Sequence, residues 1–73
     1  MTPEDYETLS QALTTAWIRA NKARDIVRTE GVAAHEAGNT TAQHKLEAVH
    51  HQIDEAAARL AGALGLLDNY WRG

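Results

Sequence analysis

The chain has 73 residues, no cysteine, four histidines and a formal net charge of −3 at pH 7. Without cysteine it can form neither a disulfide nor a thiolate metal site, so a domain this small is expected to gain additional buried area from self-association or a partner. The acidic balance argues against nucleic acid as a partner, because free duplex-binding domains are usually basic.

The first predicted element is a helix over residues 3–37. Thr2 can cap its first turn, Pro3 suits the first helical position, and the two acidic residues that follow favour the positive end of the helix dipole. Apolar and small residues then recur at alternating intervals of three and four, which places them on one stripe of the helix. This stripe consists of Tyr6, Leu9, Leu13, Ala16, Ala20, Ala23, Val27, Glu30, Ala34 and Ala37.

A turn at 38–40 separates the first helix from a second helix predicted over 41–70. Gly38 suits the left-handed conformation that ends helices, and Thr40 with Gln43 matches a capping box. Two stripes joined by a short turn must face each other or a partner, so residues 1–73 are predicted to form one all-α domain, an antiparallel two-helix hairpin. The second stripe consists of Ala42, Leu46, Val49, Ile53, Ala56, Leu60, Ala63, Leu67 and Tyr70.

The segment 56–67 is apolar on nearly every side of the second helix. A helix of this kind is normally buried on more than one side, whereas a hairpin covers only one. The sequence therefore predicts a second interface, most simply a homodimer that forms a four-helix bundle. An alternative place for Trp71 is against Tyr6, at the start of the first helix. The predicted interface residues are Trp17, Ile26, Ala57, Leu64, Leu66 and Trp71.

Two histidines and a glutamate in the second helix have a spacing that metal sites use. His44, Glu47 and His51 lie three and four residues apart on one helical face, as Zn²⁺ ligands can. The predicted stripe passes through Leu46 and Val49, which turns these three side chains toward water. The prediction is a solvated polar end of the bundle, with no metal and no cofactor.

A basic segment in the first helix is the other charged feature. Its residues spread over several helical faces, which favours a solvated surface over a nucleic-acid site. An RNA- or DNA-binding regulator with dimeric helical-hairpin architecture is the alternative that this segment leaves open. The segment consists of Arg19, Lys22, Arg24 and Arg28.

No Ser/His/Asp arrangement, phosphate-binding glycine loop or paired-carboxylate site is present, so an enzyme is not predicted. The longest apolar run is shorter than the ~20 residues that span a bilayer, and the N-terminus lacks a signal-peptide pattern, so a soluble cytoplasmic protein is expected. The predicted function is that of a small, non-catalytic interaction or regulatory protein that binds another protein through apolar helix faces. An accessory inhibitor or adaptor of a phage or mobile element fits this description, and a metal-binding four-helix bundle is a further alternative.

Overall fold

The computed structural model describes all 73 residues and confirms the all-α hairpin. Helix α1 spans Pro3–Glu36 and helix α2 spans Thr40–Arg72. Compared with the sequence prediction, α1 ends one residue earlier, while α2 begins one residue earlier and ends two residues later. The Cα atoms extend over 53 × 15 × 11 Å, so the molecule is a single layer two helices wide. Neither helix is long and apolar enough to cross a membrane.

The start of α1 is fixed by its predicted cap. Thr2 has extended backbone angles, and its Oγ1 accepts a hydrogen bond from the Asp5 N–H at 3.1 Å. Pro3 occupies the first helical position, where its missing N–H leaves no intrahelical bond unmade. The local signals in the sequence therefore specify this end of the helix fully.

The turn combines a left-handed glycine with a side-chain cap. Gly38 has φ 71°, and its N–H donates to the His35 carbonyl at 3.0 Å, while the Asn39 N–H donates to the Ala34 carbonyl at 2.9 Å. This pair of bonds is a Schellman motif, which satisfies the last carbonyls of α1. Asn39 then caps α2, because its side chain accepts from the Ala42 N–H at 3.1 Å.

The predicted capping box is therefore wrong. Thr40 is already the first residue of α2, and the cap is the preceding Asn39. The Gln43 side chain does not reach back to the start of the helix. It contacts His35 Nδ1 at 3.2 Å and donates to Glu47 Oε1 at 3.2 Å.

The contact between the helices is thin. Only Ala57 is buried, with 6% of its surface exposed. The other apolar residues that the hairpin partly covers are half-buried: Tyr6, Leu13, Ala16, Ala20, Ala23, Val27, Ala34, Ala42, Leu46, Ile53, Leu60, Ala63, Leu64 and Leu67.

Most residues of the stripe predicted for the hairpin core are half-buried, but on each helix the contact is shifted to one side of that stripe. On α1, Arg24 and Gly31 are half-buried while Glu30, predicted in the core, is exposed. On α2, Ala57 is buried while its neighbour Ala56, predicted in the core, is exposed. The same correction applies to the other predicted core residues that are exposed: Leu9, Ala37, Val49 and Tyr70.

Substitution of two glycines should change stability in opposite directions. A Cβ at Gly62 would meet no atom within 4 Å, so Gly62→Ala should raise the free energy of unfolding by about 1 kcal/mol through helix propensity. Gly38→Ala should lower it by about 1–2 kcal/mol, because alanine is strained at a positive φ. Urea unfolding of both variants at one protein concentration measures the difference. Equal effects of the two substitutions would contradict this account of the turn.

Candidate protein interface

Three cross-helix contacts define which residues of α1 and α2 lie at the same height. The rings of Tyr6 and Trp71 stack at the open end, with centroids 4.5 Å apart and planes 11° apart. Of the two places predicted for Trp71, the structure therefore has the one against Tyr6. Near the middle, Arg24 Nη1 lies 3.4 Å from Asp54 Oδ1, and at the turn His35 contacts Gln43.

One side of the hairpin carries a polar groove. Its volume is about 550 Å³ and it lies between the two helices at the turn end. Most of the residues that line it are charged or polar and come from both helices, although the surface that they present to the groove is largely apolar. The groove is lined by Val27, Arg28, Gly31, Val32, His35, Glu36, Gln43, Leu46, Glu47, His50, His51 and Asp54.

The opposite side of the hairpin is apolar and rich in alanine. Because α-helix positions advance by 100° per residue, residues such as Ala23 and Ala56 flank the helix contact on the side away from Arg28 and Glu47, which line the groove. We name this surface the alanine face. It consists of Leu9, Ala16, Ala23 and Glu30 of α1 and Val49, Ala56, Ala63 and Tyr70 of α2.

Large apolar side chains on the alanine face and its edges are open to solvent. Leu9 is 40% exposed, Val49 46% and Tyr70 64%. At the outer edges, Ile26 of α1 is 59% exposed and Leu66 of α2 is 73% exposed. Exposed apolar side chains that share one side of a small protein are candidates for an interaction site.

The structure separates the six predicted interface residues from one another. Ile26 and Leu66 lie at the edges of the alanine face. Ala57 and Leu64 lie in the contact between the helices, so the hairpin itself already covers them. The other two are Trp71, which stacks on Tyr6, and Trp17, which is 39% exposed beside the helix contact.

The structure does not bring the three candidate metal ligands together as a ligand set. His44 is exposed, Glu47 accepts from Gln43, and His51 Nε2 lies 3.0 Å from Glu55 Oε1. No group of three or more histidine or acidic side chains has the proximity that a metal ion requires. His50 is half-buried, and its Nδ1 lies 3.1 Å from Asp54 Oδ2.

The basic segment is also divided. Arg24 is committed to the cross-helix pair with Asp54, and its Nε is buried without a hydrogen-bond partner. Arg28 lines the polar groove, while Lys22 and Arg19 are exposed elsewhere on α1. The four side chains therefore form no continuous basic surface.

Sequence reasoning missed the alanine face because it assigned the same residues to the hairpin core. The signal was present, since Leu9, Ala16 and Ala23 continue the apolar period of α1.

Comparison of the chain with protein-family models, with curated proteins and with solved structures finds no match.

Proposed function

We propose that the protein is a non-catalytic interaction protein that binds a second helical surface through the alanine face. The partner in this proposal is a second copy of the chain, and the product is a four-helix bundle. The observation that carries the proposal is the direction of the two apolar stripes. Both are displaced from the helix contact toward the same side of the hairpin.

The size of that displacement suits a bundle. The stripe of each helix is centred about 30–50° from the direction of the other helix, as the 100° advance per residue gives, since half of its residues lie in the helix contact. In a four-helix bundle of square section, each helix has two neighbours, and an apolar stripe aimed at the bundle axis lies about 45° from either. Each hairpin therefore has the residue pattern of half a bundle.

The exposed area supports the same proposal. The chain exposes 5404 Å², whereas a compact monomer of this mass exposes about 4,450 Å². The excess is roughly 950 Å², close to the area that one partner contributes to a standard protein interface. The radius of gyration is 16.5 Å, compared with about 11 Å for a compact domain of this length.

We propose with it a regulatory or adaptor role and a cytoplasmic location, both of which are predictions from the sequence alone. His50 and His51 each contact a carboxylate one turn further along α2, and His35 contacts an amide. None of these contacts pairs a base with a nucleophile, which is the arrangement that covalent catalysis uses. The proposed activity is therefore binding, with the polar groove left on the outside of the bundle.

The thermal midpoint of unfolding should depend on protein concentration if the proposal is right. Association stabilises the folded chain by mass action, so a 100-fold increase in concentration should raise Tm by about 5–10 °C. Circular dichroism at 222 nm from about 1 to 100 μM protein measures this shift. A Tm that stays constant over the whole range would contradict the proposed dimer.

A further inference from the structure

The alanine face is not uniform along its length. By the heights that the cross-helix contacts define, Leu9 lies within a turn of Tyr70 at the open end, and Glu30 lies within a turn of Val49 near the turn of the hairpin. Alanines occupy the two levels between them. One end of the face is therefore large and apolar, the middle is small, and the turn end carries a charge.

Two symmetric dimers bring the alanine faces of two copies together. The difference between the apolar end and the charged end of the face distinguishes these two dimers. With the two-fold axis along the hairpin, both turns lie at the same end and every level meets its own copy. With the axis across the hairpin, the turns lie at opposite ends. Glu30 then lies level with Leu9 of the partner subunit, where its carboxylate would lose water without gaining a partner.

Charge complementarity selects the first arrangement. Glu30 is the one charged residue of the alanine face, and it makes no ion pair within the hairpin. Lys45 is exposed and equally unpaired, one turn from Val49 at the edge of the face. When the turns coincide, α1 of one copy lies over α2 of the other, which brings Glu30 near Lys45 of the partner subunit. Arg19 and Arg59 lie at the rim in either arrangement and do not discriminate.

The available area is sufficient for a second copy. The broad side of the hairpin measures 53 × 15 Å between Cα extremes, and about 800 Å² per partner is the standard for a stable complex. We propose that a second copy covers the alanine face with both turns at the same end, held in register by Glu30 and Lys45 of the partner subunit. This inference rests on the proposed function, since it specifies the geometry of the proposed dimer.

Spin labels at two positions test the arrangement, and the absence of native cysteine makes each label unique. Thr41→Cys places a label beside the turn, and Ala58→Cys places a control label near the middle of α2; both positions are exposed and lie off the alanine face. Helix spacings of 8–10 Å in a bundle predict a distance within about 30 Å for the Ala58 label in either arrangement. The Thr41 label should also give about 30 Å or less when the turns coincide.

The outcomes separate this inference from the proposed function. Short distances at both labels support the shared end. A short distance at position 58 with about 50 Å at position 41, as the 53 Å length implies, would overturn the inference and leave the dimer intact. No dipolar signal at either label, with a monomer mass, would overturn both.

Charge reversal gives an independent test. Glu30→Lys and Lys45→Glu should each weaken association several-fold, because each places like charges together, and the double variant should restore it. If the double variant remains as weak as the two single variants, the two residues are not paired across the interface.

Discussion

An Ala56→Glu variant should sediment as the 8.0 kDa monomer at concentrations where the unmodified chain is a dimer. Ala56 is exposed in the middle of the alanine face. In the proposed bundle the new carboxylate would be removed from water without a partner, at a cost of at least about 3 kcal/mol. The dissociation constant should therefore rise by more than about 100-fold.

Ala48→Glu is the matched control for this substitution. Ala48 is also an exposed alanine of α2, but it lies on the side of the helix that faces away from α1 and off the alanine face. The two variants have the same composition and the same change in helix propensity, so they differ only in the surface altered. Equal association of the two variants by sedimentation velocity would show that the alanine face is not the interface.

Removal of the aromatic stack should destabilise the hairpin itself. Trp71 is 38% exposed and stacks on Tyr6, which joins the last turn of α2 to the first turn of α1. Trp71→Ala should lower the free energy of unfolding by about 2 kcal/mol, less than for a fully buried tryptophan because part of the ring is already solvated. Urea unfolding at a fixed protein concentration measures the loss.

Trp71→Phe separates stacking from simple loss of surface. A phenyl ring can still stack on Tyr6, so this variant should retain at least half of the stability that Trp71→Ala loses. The two variants are compared at equal concentration, because association also contributes to the measured value. If Trp71→Ala costs less than about 0.5 kcal/mol, the stack does not hold the open end together.

The helix ends were predictable because their signals are local. Thr2 and Pro3 specify the start of α1, and Gly38 specifies its end, all through backbone chemistry that no distant residue alters. The cap of α2 was misplaced by one residue because Asn39 and Thr40 are both good capping residues. Asparagine ranks above threonine at this position, which agrees with the observed choice.

The direction of the helix contact was not predictable from periodicity. Alanine leaves little difference in side-chain volume between neighbouring stripes, so the pattern could not decide between the stripe through Ala23 and the stripe through Arg24. The polar pair of Arg24 with Asp54 lies in the contact, although periodicity alone places polar residues outside. Pairing across two helices depends on tertiary register, which a single sequence does not display.

Sedimentation equilibrium of the unmodified protein at about 10–100 μM, well above the dissociation constant of a standard-size interface, tests the central claim most directly. The account predicts a mass of twice the 8.0 kDa chain, with no larger species. A single 8.0 kDa species over the whole concentration range would contradict it, because the alanine face would then remain uncovered by a second copy.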